Sequence, residues 1–505
     1  MRSLSQRSEN CRFENNERTA LIGHLDRVYS IESTFTRQSL ECSDVWRFRN
    51  QSNSAQYLSD SAHGSSWLTA AFILVNAALG AGLLNYPVAY DRLGGVVSAT
   101  IIQFVMLVML ASTMLILIYC ADFNCVNTYH EVLEYMCGHK VRQLSALSII
   151  ITCFGICITF LIIIGDQFDR LFATFFGQSF CYHWYMHRIF TIVLSAIVTI
   201  WPMSYFKRLN FLKYTNLLGV FATFYIIFLN VYEYYYLDVT PGPIKTRPAD
   251  IMKFLAALPV VCFAYQTHEI VVPVYACLST RSRANFTKST LLALSILFVV
   301  YCLSGTYGYY TFGAIVAPDV MQMYNPVDPV VSAGIIALII KMISTYPPVI
   351  FCGRDTLVGL FCGDPEPLHF DESYNKLEYW RRVIITSAWN LLALILGLVI
   401  PNITVAIGFL GSLAACNVFV FPGLCMTSLA KRQYLIVWRD IDHSSEAPVG
   451  RTDNSIHKSM RHWYPRLLFI YGVFIITIGV IMFFIIIYQA ITDLNSDTNH
   501  HNLCQ

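Results

Sequence analysis

The sequence predicts an all-α polytopic membrane protein of eleven transmembrane helices, and three observations carry that expectation. Hydrophobic residues make up 55% of the 505-residue chain and charged residues only 13%, where a soluble domain carries charge on roughly a quarter of its positions. Apolar runs of about 20 residues, the length a helix needs to cross a hydrocarbon core of ~30 Å, recur from Ser66 almost to the C-terminus. The short alternating segments of a membrane β-barrel do not occur.

In order, the runs are 66–90, 95–121, 144–168, 188–204, 211–236, 251–277, 287–312, 329–352, 382–400, 403–429 and 464–490. Ahead of them lies a polar tail, 1–65, rich in Ser, Asn and Arg and without the apolar core of a signal peptide, so it is expected to be disordered. A short tail, 491–505, follows the last run. Basic residues set the orientation: Lys140, Lys207, Arg208, Arg354 and Lys431 are among many on the side of the N-terminal tail. The other side keeps only Arg92, Arg170, Arg188, Lys245, Arg247 and Lys253. The positive-inside rule then places the N-terminus in the cytosol and, after eleven crossings, the C-terminus outside or in a lumen.

Composition also excludes functions. The net charge of +2 and the lack of a basic stripe interleaved with aromatics argue against a nucleic-acid partner. The 16 Cys fall mostly within spans and form no CxxC pairs, so they point to neither a zinc site nor a dense disulfide framework. Cys181 and Cys504 share the non-cytosolic side and are a candidate pair. No nucleophile, metal cluster or phosphate loop points to an enzyme or an organic cofactor, and no ring of filter residues points to a channel.

The first span, "ILVNAALGAGLLNYPVAY", holds two Asn, two Gly and one Pro where an unbroken apolar helix is expected. In hydrocarbon an unpaired backbone group costs several kcal/mol, so irregular backbone survives only where it lines a cavity or is bound. Gly80, Ala81 and Gly82 are therefore read as an unwound segment facing a polar site, with Asn76 before it and Asn85 and Pro87 after. A lone glycine pair would mean close helix packing instead. A second irregular span decides against that reading. The sixth, "LPVVCFAYQTHEIVVPVY", is interrupted by Pro259, Gln266, His268, Glu269 and Pro273. Interrupted spans at matching places in two halves point to a binding site between inverted repeats. His268 is either a packed core histidine or a proton-sensitive group. Glu269 is a carboxylate in a span, a type that usually lies on an ion or substrate path.

In the eighth span, "LIIKMISTYPPVIF", the adjacent hydroxyls of Ser344 and Thr345 are either cation ligands or bonded back to their own turn. Lys341 lies three and four residues before them, on the same face. Its ammonium could occupy a cation site, pair with Glu269 or Asp166, or snorkel.

Taken together, "FILVNAALGAGLLNYPVAYDRLGG", "FLIIIGDQ", "FAYQTHEIVVPVY", "STYPPVIFCGRD" and "IGFLGSLAACNVFVFPGL" resemble the amino acid/auxin permease superfamily. Within it they are most similar to the sodium-coupled neutral amino acid transporters, in the lysosomal glutamine and asparagine branch (member 7, near member 8). The resemblance implies a LeuT-like fold: inverted repeats over 66–236 and 251–429, and an eleventh helix over 464–490. It implies that Asn76 and Thr345, with Ser344, hold sodium. Ala77, Ala78, Leu79, Gly80, Ala81, Gly82 and Asn85 would bind the substrate, its backbone groups falling to Ala77 through Gly82. Tyr265, Gln266 and His268 would face its side chain. Two departures stand out: "HEI" replaces the usual His-Pro-Glu, which displaces Glu269, and Lys341 replaces a small or neutral residue. The second opens H+ coupling, or exchange coupled to no ion, as alternatives to Na+.

"ERTALI" fits the acidic dileucine pattern through Glu17, Leu21 and Ile22, an address that clathrin adaptors read in cytosolic tails. The expectation is a carrier of small neutral amino acids in the lysosomal membrane, with the plasma membrane as the alternative location. The rival functions are a proton-coupled carrier and an amino-acid sensor signalling through its tail.

Overall fold

In the computed structural model of the chain, the described residues are 65–80, 82–177, 182–205, 212–361, 372–399, 403–444 and 455–496. Glu17, Leu21, Ile22, Ala81, Cys181 and Cys504 lie outside them. The chain divides into two compact units. One contributes only Phe123–Cys125 to the described residues; the other, residues 65–122 with 126–505, carries the helical bundle.

The first span is two helices, α1 (Trp67–Ala78) and α2 (Gly82–Arg92), bent by 68° at the predicted glycines. α3 (Val96–Asn124) follows, then a short α4 (Tyr129–Cys137) and the long α5 (His139–Phe176). Next come α6 (Arg188–Ser204), which carries a π turn at Ala196–Ile200, and α7 (Leu212–Tyr236). The sixth span is again two helices, α8 (Ile251–Ala264) and α9 (His268–Ala276). α10 (Arg283–Phe312), α11 (Pro329–Phe361) and α12 (Glu372–Val399) are continuous. α13 (Ile403–Ala415) runs through a π turn, Cys416–Val420, into α14 (Phe421–Ser444), and α15 (Ser455–Ser496) ends the described chain.

Among the described residues, nine helices are long and apolar enough to cross a membrane, and the bent pair α1–α2 makes ten. The eleven spans of the sequence reading differ from this count at α6. From Arg188 to Ser204 it extends over only ~25 Å at 1.5 Å per residue, short of the hydrocarbon thickness.

Outward faces are apolar, as a lipid solvent requires: Ile101, Phe104, Val105 and Val108 on α3 and Ile470, Phe474, Ile481 and Phe484 on α15 are all exposed. The interior contains α11, packed between α5 and α7, and α10, packed on α1 and α2. α8 packs on α2, which brings the two broken spans together. At the other ends of these spans, Ser65 N–H donates to Cys277 O (3.1 Å) and Ser279 N–H to Ser65 O (3.1 Å). The entrance to α1 is thus tied to the exit of α9 by a single parallel bridge.

Candidate functional site

α1 ends where its ladder runs out. The Leu79 N–H closes the last turn on Val75 O at 3.0 Å, and Leu79 itself, at φ −72° and ψ 88°, has left the helix. α8 ends likewise at Ala264, leaving Tyr265, Gln266 and Thr267 outside any helix before α9 restarts at His268. The two breaks touch: a Cβ on Gly82 would fall 2.9 Å from Ala264 Cα.

Helix ends leave carbonyls without donors. Here one hydroxyl bridges both breaks, since Tyr301 OH lies 2.9 Å from Ala78 O and 2.8 Å from Ala264 O. Its ring stacks on Tyr86 at 4.5 Å and tilts against Tyr265 at 5.1 Å. Tyr265 OH accepts from Gln103 Nε2 at 2.7 Å, and Gln103 Oε1 accepts from Tyr90 OH at 2.9 Å. The crossing is therefore framed by a buried tyrosine and amide network.

The polar residues of the sixth span divide between two functions. Gln266 donates to Glu269 Oε1, while its own Oε1 is buried with no partner among the described residues. Glu269 Oε1 also accepts from Asn417 Nδ2 at 3.2 Å. Asn417 lies in the π turn Cys416–Val420, where the backbone ladder is locally broken. Its side chain accepts from Ser148 Oγ at 2.8 Å, and its carbonyl accepts from Tyr129 OH at 2.7 Å. Glu269 thus joins α9 to α13–α14 and, through Asn417, to α4 and α5. His268 is fully buried, with Nε2 2.9 Å from Thr113 Oγ1 and Nδ1 unpartnered.

Lys341 is 2% exposed, so it does not snorkel. Nor does it pair with either carboxylate considered from the sequence. Asp166 binds Arg188 at 3.0 Å, and Glu269 is engaged by amides. Instead Lys341 Nζ donates to Asn76 Oδ1 at 2.6 Å and to Asn76 O at 3.1 Å. Ser344 Oγ and Thr345 Oγ1 both donate back to Lys341 O at 2.9 Å, as hydroxyls within a helix do. Of the three residues expected to hold a cation, Ser344 Oγ and Asn76 Oδ1 both face Gly219, and the Lys341 ammonium rests on the Asn76 oxygens. A sodium ion sharing Asn76 Oδ1 would lie within ~5 Å of that ammonium, a repulsion of about 3 kcal/mol at an effective dielectric near 20. Asn76, Ser344 and Thr345 as arranged here do not fit a sodium ion.

Of the expected substrate residues, Ala77, Ala78, Leu79, Gly80 and Gly82 flank the first break and Tyr265, Gln266 and His268 the second. Asn85 is buried in α2, with its Oδ1 unpartnered. Three participants were missed: Gln103, Tyr301 and Asn417. Gln103 and Asn417 were detectable as lone amides in apolar runs, by the same reasoning that singled out Glu269. Tyr301 is one of 30 tyrosines and bears no local signal.

A helical membrane domain in which two interrupted spans meet at buried polar groups is the architecture of a solute carrier. Residues 63–440 match the family described as transmembrane amino acid transporter protein, and the chain belongs to that family. It is a transporter of amino acids and not an enzyme. It is similar to sodium-coupled neutral amino acid transporter 7 of Danio rerio, 38% identical over 373 residues, 73% of this chain and 80% of the relative. The Homo sapiens protein of the same name is 39% identical over 366 residues, 72% of this chain and 79% of the relative. Solute carrier family 38 member 8 of Homo sapiens is 30% identical over 378 residues, 72% and 84% of the two chains. Among solved structures, MhsT in complex with L-phenylalanine aligns with 83% of this chain and 99% of its own, at 14% identity and a TM-score of 0.49.

Proposed function

We propose that this protein carries small neutral amino acids, glutamine and asparagine foremost, across the lysosomal membrane by alternating access. The contact of the two helix breaks at Gly82 and Ala264 carries this reading. It gathers the C-terminal ends of α1 and α8, which attract an ammonium group, and the N-terminal ends of α2 and α9, which attract a carboxylate. Every amino acid presents that pair of charges. The unpaired Gln266 Oε1 is an acceptor for the NH2 of a side-chain amide, which favours glutamine and asparagine.

In this reading α6 is the fourth crossing and α15 the eleventh, with inverted repeats over 66–236 and 251–429. Glu17, Leu21 and Ile22 form a cytosolic address read by a clathrin adaptor, and the C-terminus is lumenal. The names of the relatives say sodium-coupled; for this chain the coupling depends on Lys341.

The test is uptake of labelled glutamine by the purified full chain in liposomes, with unlabelled asparagine, leucine and glutamate as competitors. Glutamine and asparagine should compete best, and Gln266→Leu should weaken glutamine transport by about tenfold, the effect of losing one buried hydrogen bond. Binding of glutamine without flux would replace the carrier reading with the sensor.

A further inference from the structure

α1 stops at Ala78, which places Asn76 in its last turn. Lys341 Nζ donates to Asn76 O, and the Asn76 side chain supplies a second oxygen to the same ammonium. Among the described residues no carboxylate neutralises Lys341. The compensating charge is the partial negative end of α1 itself. On the remaining side the backbone of α7 closes in. A Cβ on Gly219 would fall 2.3 Å from Ser344 Oγ and 3.2 Å from Asn76 Oδ1. A cation bound here would connect the broken first span to α11, and Lys341 already makes that connection across 265 residues of sequence.

We propose that Lys341 is a tethered cation that stands in the place of a coupling sodium ion, so that this chain moves its substrate without sodium. The inference rests on the carrier reading and adds to it how that site is occupied. A free ion binds and leaves with its concentration; an ammonium on the protein's own side chain does not. Flux then follows the amino acid gradient, whatever the sodium on either side. Removing the lysine side chain exposes Asn76 Oδ1, Asn76 O and the hydroxyls of Ser344 and Thr345 as a set of oxygen ligands suited to a hard cation.

The experiment pairs transport with a measurement that needs no transport. The purified full chain, Lys341→Ser and Lys341→Gln are reconstituted in liposomes for labelled glutamine uptake at fixed pH, with sodium chloride or choline chloride at about 150 mM. The same proteins in detergent are unfolded thermally in both salts. Wild-type uptake should differ by less than about twofold between the salts, while Lys341→Ser should gain a preference for sodium of about tenfold, within the usual range of coupling between two sites. The wild-type unfolding midpoint should be equal in the two salts, and that of Lys341→Ser should rise in sodium.

Sodium-dependent uptake by wild type, or a wild-type midpoint raised by sodium, overturns the proposal. So does a folded Lys341→Ser indifferent to sodium in both assays. If Lys341→Ser does not fold, Lys341→Gln takes its place in both measurements. If no form of the protein moves any neutral amino acid, the carrier reading fails, and the midpoints alone decide whether Lys341 fills the site.

Discussion

Gly82 of the first span and Ala264 of the sixth meet so closely that a side chain on the glycine would fall 2.9 Å from the alanine Cα. The atom in the way is backbone and cannot rotate aside. Gly82→Ala should therefore push the two breaks apart, lowering stability by about 1–3 kcal/mol, as overpacking does, and reducing uptake strongly. Gly80→Ala is the control, because its Cβ would make an ordinary 3.9 Å contact with the Phe160 ring. Thermal unfolding midpoints of both variants check the packing difference, and glutamine uptake is read for Gly82→Ala.

Tyr301 donates one hydroxyl to two carbonyls left over by the breaks. Tyr301→Phe keeps the ring on Tyr86 and strands both Ala78 O and Ala264 O. The expected loss is about 1–3 kcal/mol, the desolvation penalty of a buried polar group. Denaturant or thermal unfolding in detergent measures it, and an unchanged midpoint would mean that another donor takes over.

Asn417 holds Glu269 from across the bundle. Asn417→Ala and Glu269→Gln should therefore be non-additive, with a coupling energy of about 0.5–3 kcal/mol in a double-mutant cycle of unfolding free energies. Additive losses would show that the two side chains act independently.

Asp319, in the connection between α10 and α11, has its carboxyl pushed up to about 6 by burial, although the Arg170 guanidinium opposes the shift. The unfolded value lies near 3.9. The folded state therefore holds the proton more tightly, and this contribution to stability is fully present below about pH 4 and lost as pH rises through about 6. Asp319→Asn keeps an acceptor for the Met321 N–H and cannot ionise. Relative to that variant, the wild-type protein should lose about 2–3 kcal/mol between pH 4 and pH 7, read as unfolding midpoints across that range.

The legible features were those with a local cause. The glycines at 80 and 82 and the polar residues from Gln266 break the two spans within a few residues of where the sequence placed the breaks. That Lys341, Ser344 and Thr345 share one helix face was readable from their spacing. The partner of Lys341 was not. Sequence left a cation site, Glu269, Asp166 and snorkelling all open, and the choice among them is made by how α1, α5, α9 and α11 pack.

By itself the sequence determined that this chain lives in a bilayer, that its membrane domain is helical, and that two of its spans cannot be continuous. Those conclusions follow from composition and from backbone groups that must be satisfied within a few residues in a solvent offering no hydrogen bonds. Only the tertiary structure decided which distant groups meet: Tyr301 with Ala78 and Ala264, Asn417 with Glu269, and Lys341 with Asn76. A hydrogen bond is a matter of about 3 Å, and across hundreds of residues that distance is set by helix packing rather than by spacing along the chain.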